Sequence, residues 1–284
     1  MLRQRVITAI VLLALLLPAL FYPDSSTPFA ALTLVLMGAA AWEWARLCGL
    51  GDGAARIGAG ALVVLLGLAW WRSDGVPLPA IAWVVATAAW TAGLAGVLAR
   101  GIDAWGRWPR GLRLALGWLA LALAWWALVR LHVLGVEVLL GVLLLVWVAD
   151  IAAYFGGRAW GRRKLAPRIS PGKSWEGALC GALAVLLLAA GWVTVAHVEG
   201  GGWTRGFYPR LWQGGALGAV LWLALLTGLS VAGDLFESLV KRQAGVKDSS
   251  GLLPGHGGVL DRIDALLPVL PAALAALAWQ GGQG

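Results

Sequence analysis

A chain of 284 residues that is 60% hydrophobic and only 13% charged, with a net charge of +8, departs far from a soluble globular domain, which is about 45–50% apolar and about 25% charged. This composition excludes an ordinary water-soluble domain and points to a protein that crosses a membrane many times. The positive balance calls for no nucleic acid, because membrane topology and attraction to anionic headgroups account for it.

A spanning helix needs about 20 mostly apolar residues, and nine such stretches follow one another, at roughly 5–22, 28–48, 57–71, 78–98, 113–132, 135–154, 177–197, 211–233 and 264–280. The third and ninth are the shortest. Their continuous apolar runs lack the alternation of barrel strands, so the expected fold is an all-α polytopic membrane protein of about nine transmembrane helices. The first run has a basic start but "LLLPALFYPD" offers no small-x-small cleavage site, which reads as a retained first helix. With the N-terminus (Arg3, Arg5) in the cytoplasm, nine spans leave only Arg72, Arg130, Arg205 and Arg210 of the 22 Lys and Arg residues on the outer side. That is a strong positive-inside bias. Of the 19 tryptophans, Trp42, Trp70, Trp71, Trp160 and Trp203 fall near span ends, while Trp83, Trp118, Trp147 and Trp222 lie inside spans and read as packing. Cys48 and Cys180 are isolated, with neither a disulfide framework nor a zinc spacing.

The chain divides into residues 1–134, the first five spans, and residues 135–284, a catalytic region of spans six to nine. Residues 99–112, "ARGIDAWGRWPRGL", read as a basic connector at the headgroups. Two further polar segments, 155–176 and 234–264, fall on the same face and hold 10 of the 22 basic residues and six of the 14 acids. A charge-poor chain has collected its charge there, and chemistry is sought there.

In 234–264, a helix continuing past span eight puts Asp234, Glu237, Ser238 and Lys241 on one face. Acids at the mouth of a spanning helix are costly unless paired or metal-bound; a plain salt bridge from Asp234 to Lys241 or Arg242 is the bland alternative. "KDSSGLLPGHGGVLDRID" (247–264) then carries Lys247, Asp248, His256, Asp261, Arg262 and Asp264 around a glycine-rich turn. Gly257 and Gly258 have so little bulk that backbone N–H groups can approach a phosphate. Asp234 with Asp261 is a carboxylate pair suited to a hard divalent cation. His256 has no His or Cys nearby to complete a zinc site, and Asp264 also suits the start of a helix.

In 155–176, Asp150 leads into "GGRAWGRRKLAPRISPGKSWEG", with Arg168, Ser170 and Lys173. Ser170-Pro171 reads as N-cap and first residue of the seventh span, which would put Lys173 in the first turn of an anion-attracting helix start. The "GKS" at 172–174 is no Walker loop, since Pro167 stands where a glycine is required and no strand is expected before it. Together the two segments suit a polyphosphate substrate, whose reaction needs positioning and charge neutralisation.

The stretch "SLVKRQAGVKDSSGLLPGHGGVLDRID" (238–264) resembles the signature of phosphatidate cytidylyltransferases, matching at Ser238, Lys241, Arg242, Lys247, Asp248, Pro254, His256, Gly257, Gly258, Asp261, Arg262 and Asp264. "ADIAAYFGGRAWGRRKLAPRISPGKSWEG" is similar too, though many members have a basic residue at Gly172 and threonine at Ser174. "AWEWARLCGL" and the N-terminal run resemble bacterial members more loosely. The resemblance implies transfer of the cytidylyl group of CTP to phosphatidic acid, giving CDP-diacylglycerol and pyrophosphate in phospholipid biosynthesis. It also implies Mg²⁺ with a second cation such as K⁺, a homodimer, and a bacterial inner membrane with the site facing the cytoplasm. Carried over, Asp234 and Asp261 hold the metal. Lys241, Arg242, Lys247 and Arg262 neutralise triphosphate or lipid phosphate, and Asp248, His256 and Asp264 orient the metal, water or those cations. Arg168, Ser170 and Lys173, with Ser238, Gly257 and Gly258, hold the nucleotide. A CTP-dependent lipid or polyprenol kinase would use similar parts. A transporter would show paired repeats or broken mid-membrane helices, and neither is visible.

Overall fold

The computed structural model describes residues 2–73 and 78–281. In order come α1 (Leu2–Leu20), α2 (Thr27–Leu47), α3 (Asp52–Ser73), α4 (Ala80–Gly106), α5 (Arg110–Leu134) and α6 (Val136–Trp160). A small antiparallel hairpin of β1 (Lys164–Ala166) and β2 (Ser170–Ser174) leads into α7 (Trp175–Glu199), the short α8 (Phe207–Gln213), α9 (Ala216–Gln243), α10 (Leu260–Ile263) and α11 (Leu266–Gly281). Among the described residues, nine helical segments are long and apolar enough to cross a membrane, one at each expected span. The third is a full 22-residue helix, because the small residues of "DGAARIGAGA" extend it toward its N-terminus.

Lipid tails are as apolar as leucine, so spanning helices associate through close packing of small residues. The contact between α6 and α7 follows that rule. Gly177 and Gly181 on α7 lie against the carbonyls of Ala153 and Ala149 on α6, where a Cβ would come within 2.6 and 2.8 Å. Elsewhere aromatic residues fill the core: Trp44, Trp105 and Phe236 meet from α2, α4 and α9 with ring centroids 5.2–6.1 Å apart. Trp83 is buried as expected, whereas Trp147 is 49% exposed on the outer side of α6, so it is not a packing residue. Both cysteines are free.

Three boundaries differ from the sequence reading. The connector 99–112 is mostly helix, with Gly101 at φ 76 kinking α4 before its last turn. Span eight runs on to Gln243, so Asp234 lies well inside α9 and not at its end. Ser170 does not cap α7. The residue before proline favours extended backbone, and Ser170 pairs with Ala166 in the hairpin. The cap is Ser174, whose Oγ accepts from Gly177 N at 3.1 Å. Lys173 is therefore a strand residue, and Gly172-Lys173-Ser174 runs along β2.

Candidate active site

The two charge-rich segments meet at one end of the bundle. The hairpin between α6 and α7 is held by Glu176, which accepts from the backbone N–H of Arg162 at 3.1 Å and of Arg163 at 3.2 Å. Pinned this way, β2 turns Lys173 toward α9, where Nζ pairs with Asp234 Oδ2 at 2.6 Å. Ser238, one turn further along α9, donates its Oγ–H to Asp234 Oδ1 at 3.3 Å. On the same face Lys241 bridges two acids, Glu237 on its own helix and Asp261 Oδ1 on α10 at 2.6 Å. Gly233 brings α9 against the carbonyl of Asp264, where a Cβ would stand 2.8 Å away. Asp150, exposed on α6, joins the group: its charge interacts with those of Lys173 and Asp234, and that of Asp264 with Asp234, Lys241 and Lys173. The bland alternative of a salt bridge from Asp234 to Lys241 or Arg242 is not what forms: Asp234 pairs with Lys173 from the other segment.

The glycine-rich loop binds carboxylates of its own chain. Asp261 Oδ2 accepts from Gly258 N at 2.7 Å, Ser249 N at 2.9 Å and Ser249 Oγ at 2.9 Å. Glu43 enters from α2, fully buried. Its Oε1 accepts from Ser250 Oγ at 2.5 Å and Val259 N at 3.0 Å, and its Oε2 from Leu260 N at 2.7 Å and Ser249 Oγ at 3.2 Å. Gly258 must be glycine, because a Cβ there would run into Ser249 Oγ and Glu43 Oε1. Gly257 sits at φ +82, a conformation that favours glycine. Of the two glycines that the sequence suggested for a phosphate, Gly258 already gives its N–H to Asp261, and the next two N–H groups, of Val259 and Leu260, hold Glu43. Arg262 grips the turn too, donating Nη2–H and Nε–H to the His256 carbonyl at 2.7 and 3.1 Å. From α1, Thr8 Oγ donates to the Pro254 carbonyl at 3.0 Å.

His256 keeps a buried Nδ1 without a partner at the edge of this cluster. Arg168 at the hairpin tip and Arg242, Lys247 and Asp248 along the rim are exposed, and Ser170 is half-buried. Among the described residues, the ion pairs of the carboxylate cluster involve Lys173 and Lys241 and none of these.

Glu43 escaped the sequence reading. A signal was present: an acid inside the apolar run "GAAAWEWARL" is costly enough to mark a site. Its partners, more than 200 residues away along the chain, left no local trace.

Hard carboxylate oxygens are the donors Mg²⁺ takes, and the residues fit such an ion. Asp234 and Asp261 each face a lysine ammonium at 2.6 Å, so both already meet positive charge at close range. Asp261 Oδ2 faces three donors, whereas Oδ1 meets the Lys241 ammonium. Among the described residues, no three His, Cys, Asp or Glu side chains converge as a ready-made metal cage.

The profile of the cytidylyltransferase family matches residues 3–279. The chain belongs to that family. A phosphatidate cytidylyltransferase of Pseudomonas aeruginosa is 43% identical over 293 residues, covering 100% of this chain and 99% of the relative. One of Haemophilus influenzae is 35% identical over 294 residues, covering 95% and 96%. One of Bacillus subtilis is 40% identical over 126 residues, 44% of this chain and 42% of the relative. As a cytidylyltransferase, the protein is a membrane-spanning nucleotidyltransferase, and its cluster of acids and lysines is the place to look for that chemistry.

Proposed function

We propose that this protein transfers the cytidylyl group of CTP to phosphatidic acid, releasing pyrophosphate and forming CDP-diacylglycerol for phospholipid synthesis. The observation that carries the reading is the end-to-end similarity to phosphatidate cytidylyltransferases, at 43% identity over the whole chain. An oxygen of the lipid phosphate attacks the α-phosphorus of CTP. A P–O bond forms there, the bond from the α-phosphorus to the bridging oxygen of the β-phosphate breaks, and pyrophosphate leaves with that electron pair. Such a reaction is catalysed mainly by positioning and by neutralising charge. Lys173 and Lys241 offer two ammonium groups beside the carboxylates. Arg168, Arg242 and Lys247 add exposed cations around the rim, and the unpartnered Nδ1 of His256 is available to hold a proton or a phosphate oxygen.

Asp234 and Asp261 would hold Mg²⁺, with a second cation such as K⁺ beside it. When bound, these ions neutralise the triphosphate and the departing pyrophosphate. The same reading puts the site on the cytoplasmic face of a bacterial inner membrane, supported by the one-sided placement of Lys and Arg. There it meets cytosolic CTP and the headgroup of an inner-leaflet lipid. It also takes the active protein to be a homodimer, to be checked by light scattering in detergent.

The test uses purified protein with phosphatidic acid, Mg²⁺ and CTP labelled separately at the α- and γ-phosphates. The α label is expected in lipid and the γ label in pyrophosphate. Entry of the γ label into an added lipid alcohol would make the protein a kinase and overturn the reading.

A further inference from the structure

Behind α9, on the side away from the carboxylate cluster, lies a second site. Although consecutive in the chain, α4 and α5 splay apart, α4 packing on α9 and α11 and α5 on α2 and α11. Between them is a cleft floored by Trp44, Phe236 and Leu267 and open to the side past the exposed Gly93 and Leu119. Every side chain lining it is apolar.

Each wall ends in an arginine. On α4 the lining positions Ala86, Gly93 and Val97 recur at helical spacing, and Arg100 is the next residue on that stripe. Its guanidinium folds back along the helix, 3.9 Å from where a Cβ of Gly96 would stand. On α5 the lining residues Leu116, Ala120 and Leu123 lead back to Arg113. Arg113 gives its carbonyl to Trp44 Nε1–H at 3.0 Å and Nη1–H to Gln243 at 2.9 Å, while its Nε is buried without a partner.

We propose that the α4–α5 cleft binds an anionic phospholipid of the surrounding bilayer, its acyl chains between the helices and its phosphodiester between Arg100 and Arg113. The lipid is not the one being turned over. Phe236 lies two residues past Asp234, about 200° around α9 at 100° per residue, so the helix separates the cleft from the carboxylates. Lipid tails gain nothing by leaving other tails for a protein slot. The guanidinium forks hold the phosphodiester, and selectivity comes from their two positive charges, which favour a headgroup of net negative charge over a zwitterionic one. A cation near an anionic surface is worth about a fivefold preference, so two give roughly 25-fold.

The experiment is native mass spectrometry on the full-length protein in detergent, titrated with phosphatidylglycerol or phosphatidylcholine of identical chains, with unfolding temperatures followed in parallel. Wild type is expected to prefer phosphatidylglycerol roughly 25-fold and to melt higher with it. Arg100→Gln should lower that preference about fivefold and leave phosphatidylcholine binding alone. Gly93→Leu has room for its side chain, since a Cβ there meets nothing within 4 Å. It should abolish retention of both lipids while the lipid-free melting temperature is unchanged. Equal binding of the two headgroups, or undiminished phosphatidylglycerol binding in both variants, overturns the proposal. So does a Gly93→Leu protein that falls from two copies to one with lipid binding intact, which would make the cleft a subunit contact. Phosphatidic acid that displaces phosphatidylglycerol and is consumed from that same site would make it a substrate pocket and overturn it as well.

Discussion

Glu43 and Asp234 are acids of the same cluster with opposite surroundings. Glu43 is fully buried and faces four donors, two per oxygen, all from residues 249–260 after α9, with the Ser249 hydroxyl shared with Asp261. Asp234 is 31% exposed and meets one lysine and one serine hydroxyl. A carboxylate whose lone pairs are all taken by its own chain has no capacity left for a ligand, so Glu43 fastens the loop to α2. A carboxylate with open lone pairs beside a partly exposed ammonium is able to exchange that partner for a metal or a substrate. The number of filled acceptors thus separates an anchor from a reactive group. Asp261 combines both, with one oxygen filled by the loop and the other facing Lys241.

The largest effect tests the open member. Asp234→Asn keeps the shape and removes the charge, and the rate is expected to fall by at least about a hundredfold. Its ion pair is partly exposed and contributes little to stability, so the unfolding temperature in detergent should stay within about 2 °C of wild type. A variant that turns over at near-normal rate would remove Asp234 from the reactive group.

Glu43→Gln tests the anchor. Whichever way the amide turns, its NH₂ faces a backbone N–H, that of Val259 or of Leu260, and one buried donor is abandoned. An unsatisfied buried donor costs about 1–3 kcal/mol, which lowers the unfolding temperature by roughly 5 °C. Activity should return when the assay is cooled. A variant of normal stability with no activity at any temperature would break the comparison and place Glu43 among the ligand-binding groups.

Local pattern made the spans legible, because each apolar run is decided by its own residues. Asp234, Ser238 and Lys241 on one face of α9 were readable for the same reason, helical spacing alone. The pairing of Lys173 with Asp234 was not, because it depends on the hairpin that aims β2 at α9. That hairpin was hidden by Ser170-Pro171, which imitates a helix start while proline's demand for extended backbone before it favours the strand. The glycines of the loop were recognised as special for a different reason from the one the structure gives. Their small size admits two carboxylates of the chain itself, and one of these is Glu43, which no local pattern links to the loop.

Gly258→Ala tests the steric half of that statement. Its added methyl would overlap Ser249 Oγ and Glu43 Oε1, and overpacking of this kind costs about 1–3 kcal/mol. Gly251→Ala in the same loop meets nothing within 4 Å and should be close to neutral. Equal stability of the two variants would mean that the loop yields freely around Glu43, and the anchor would not be rigid.

The smallest expected effect concerns Arg262, which the resemblance places among the phosphate-binding cations. Here both recorded hydrogen bonds of its guanidinium go to one carbonyl, that of His256, at 2.7 and 3.1 Å. A residue used this way shapes the turn and acts through it. Arg262→Lys retains the charge but loses the two-pronged grip, at a cost of about 1 kcal/mol for an exposed contact. The rate should fall no more than about fivefold, with a slightly lower unfolding temperature. A loss of about a hundredfold at unchanged stability would mean that the guanidinium leaves His256 for a phosphate during turnover. Arg262 would then belong with Asp234, and the boundary between anchor and reactive group would run through the loop itself.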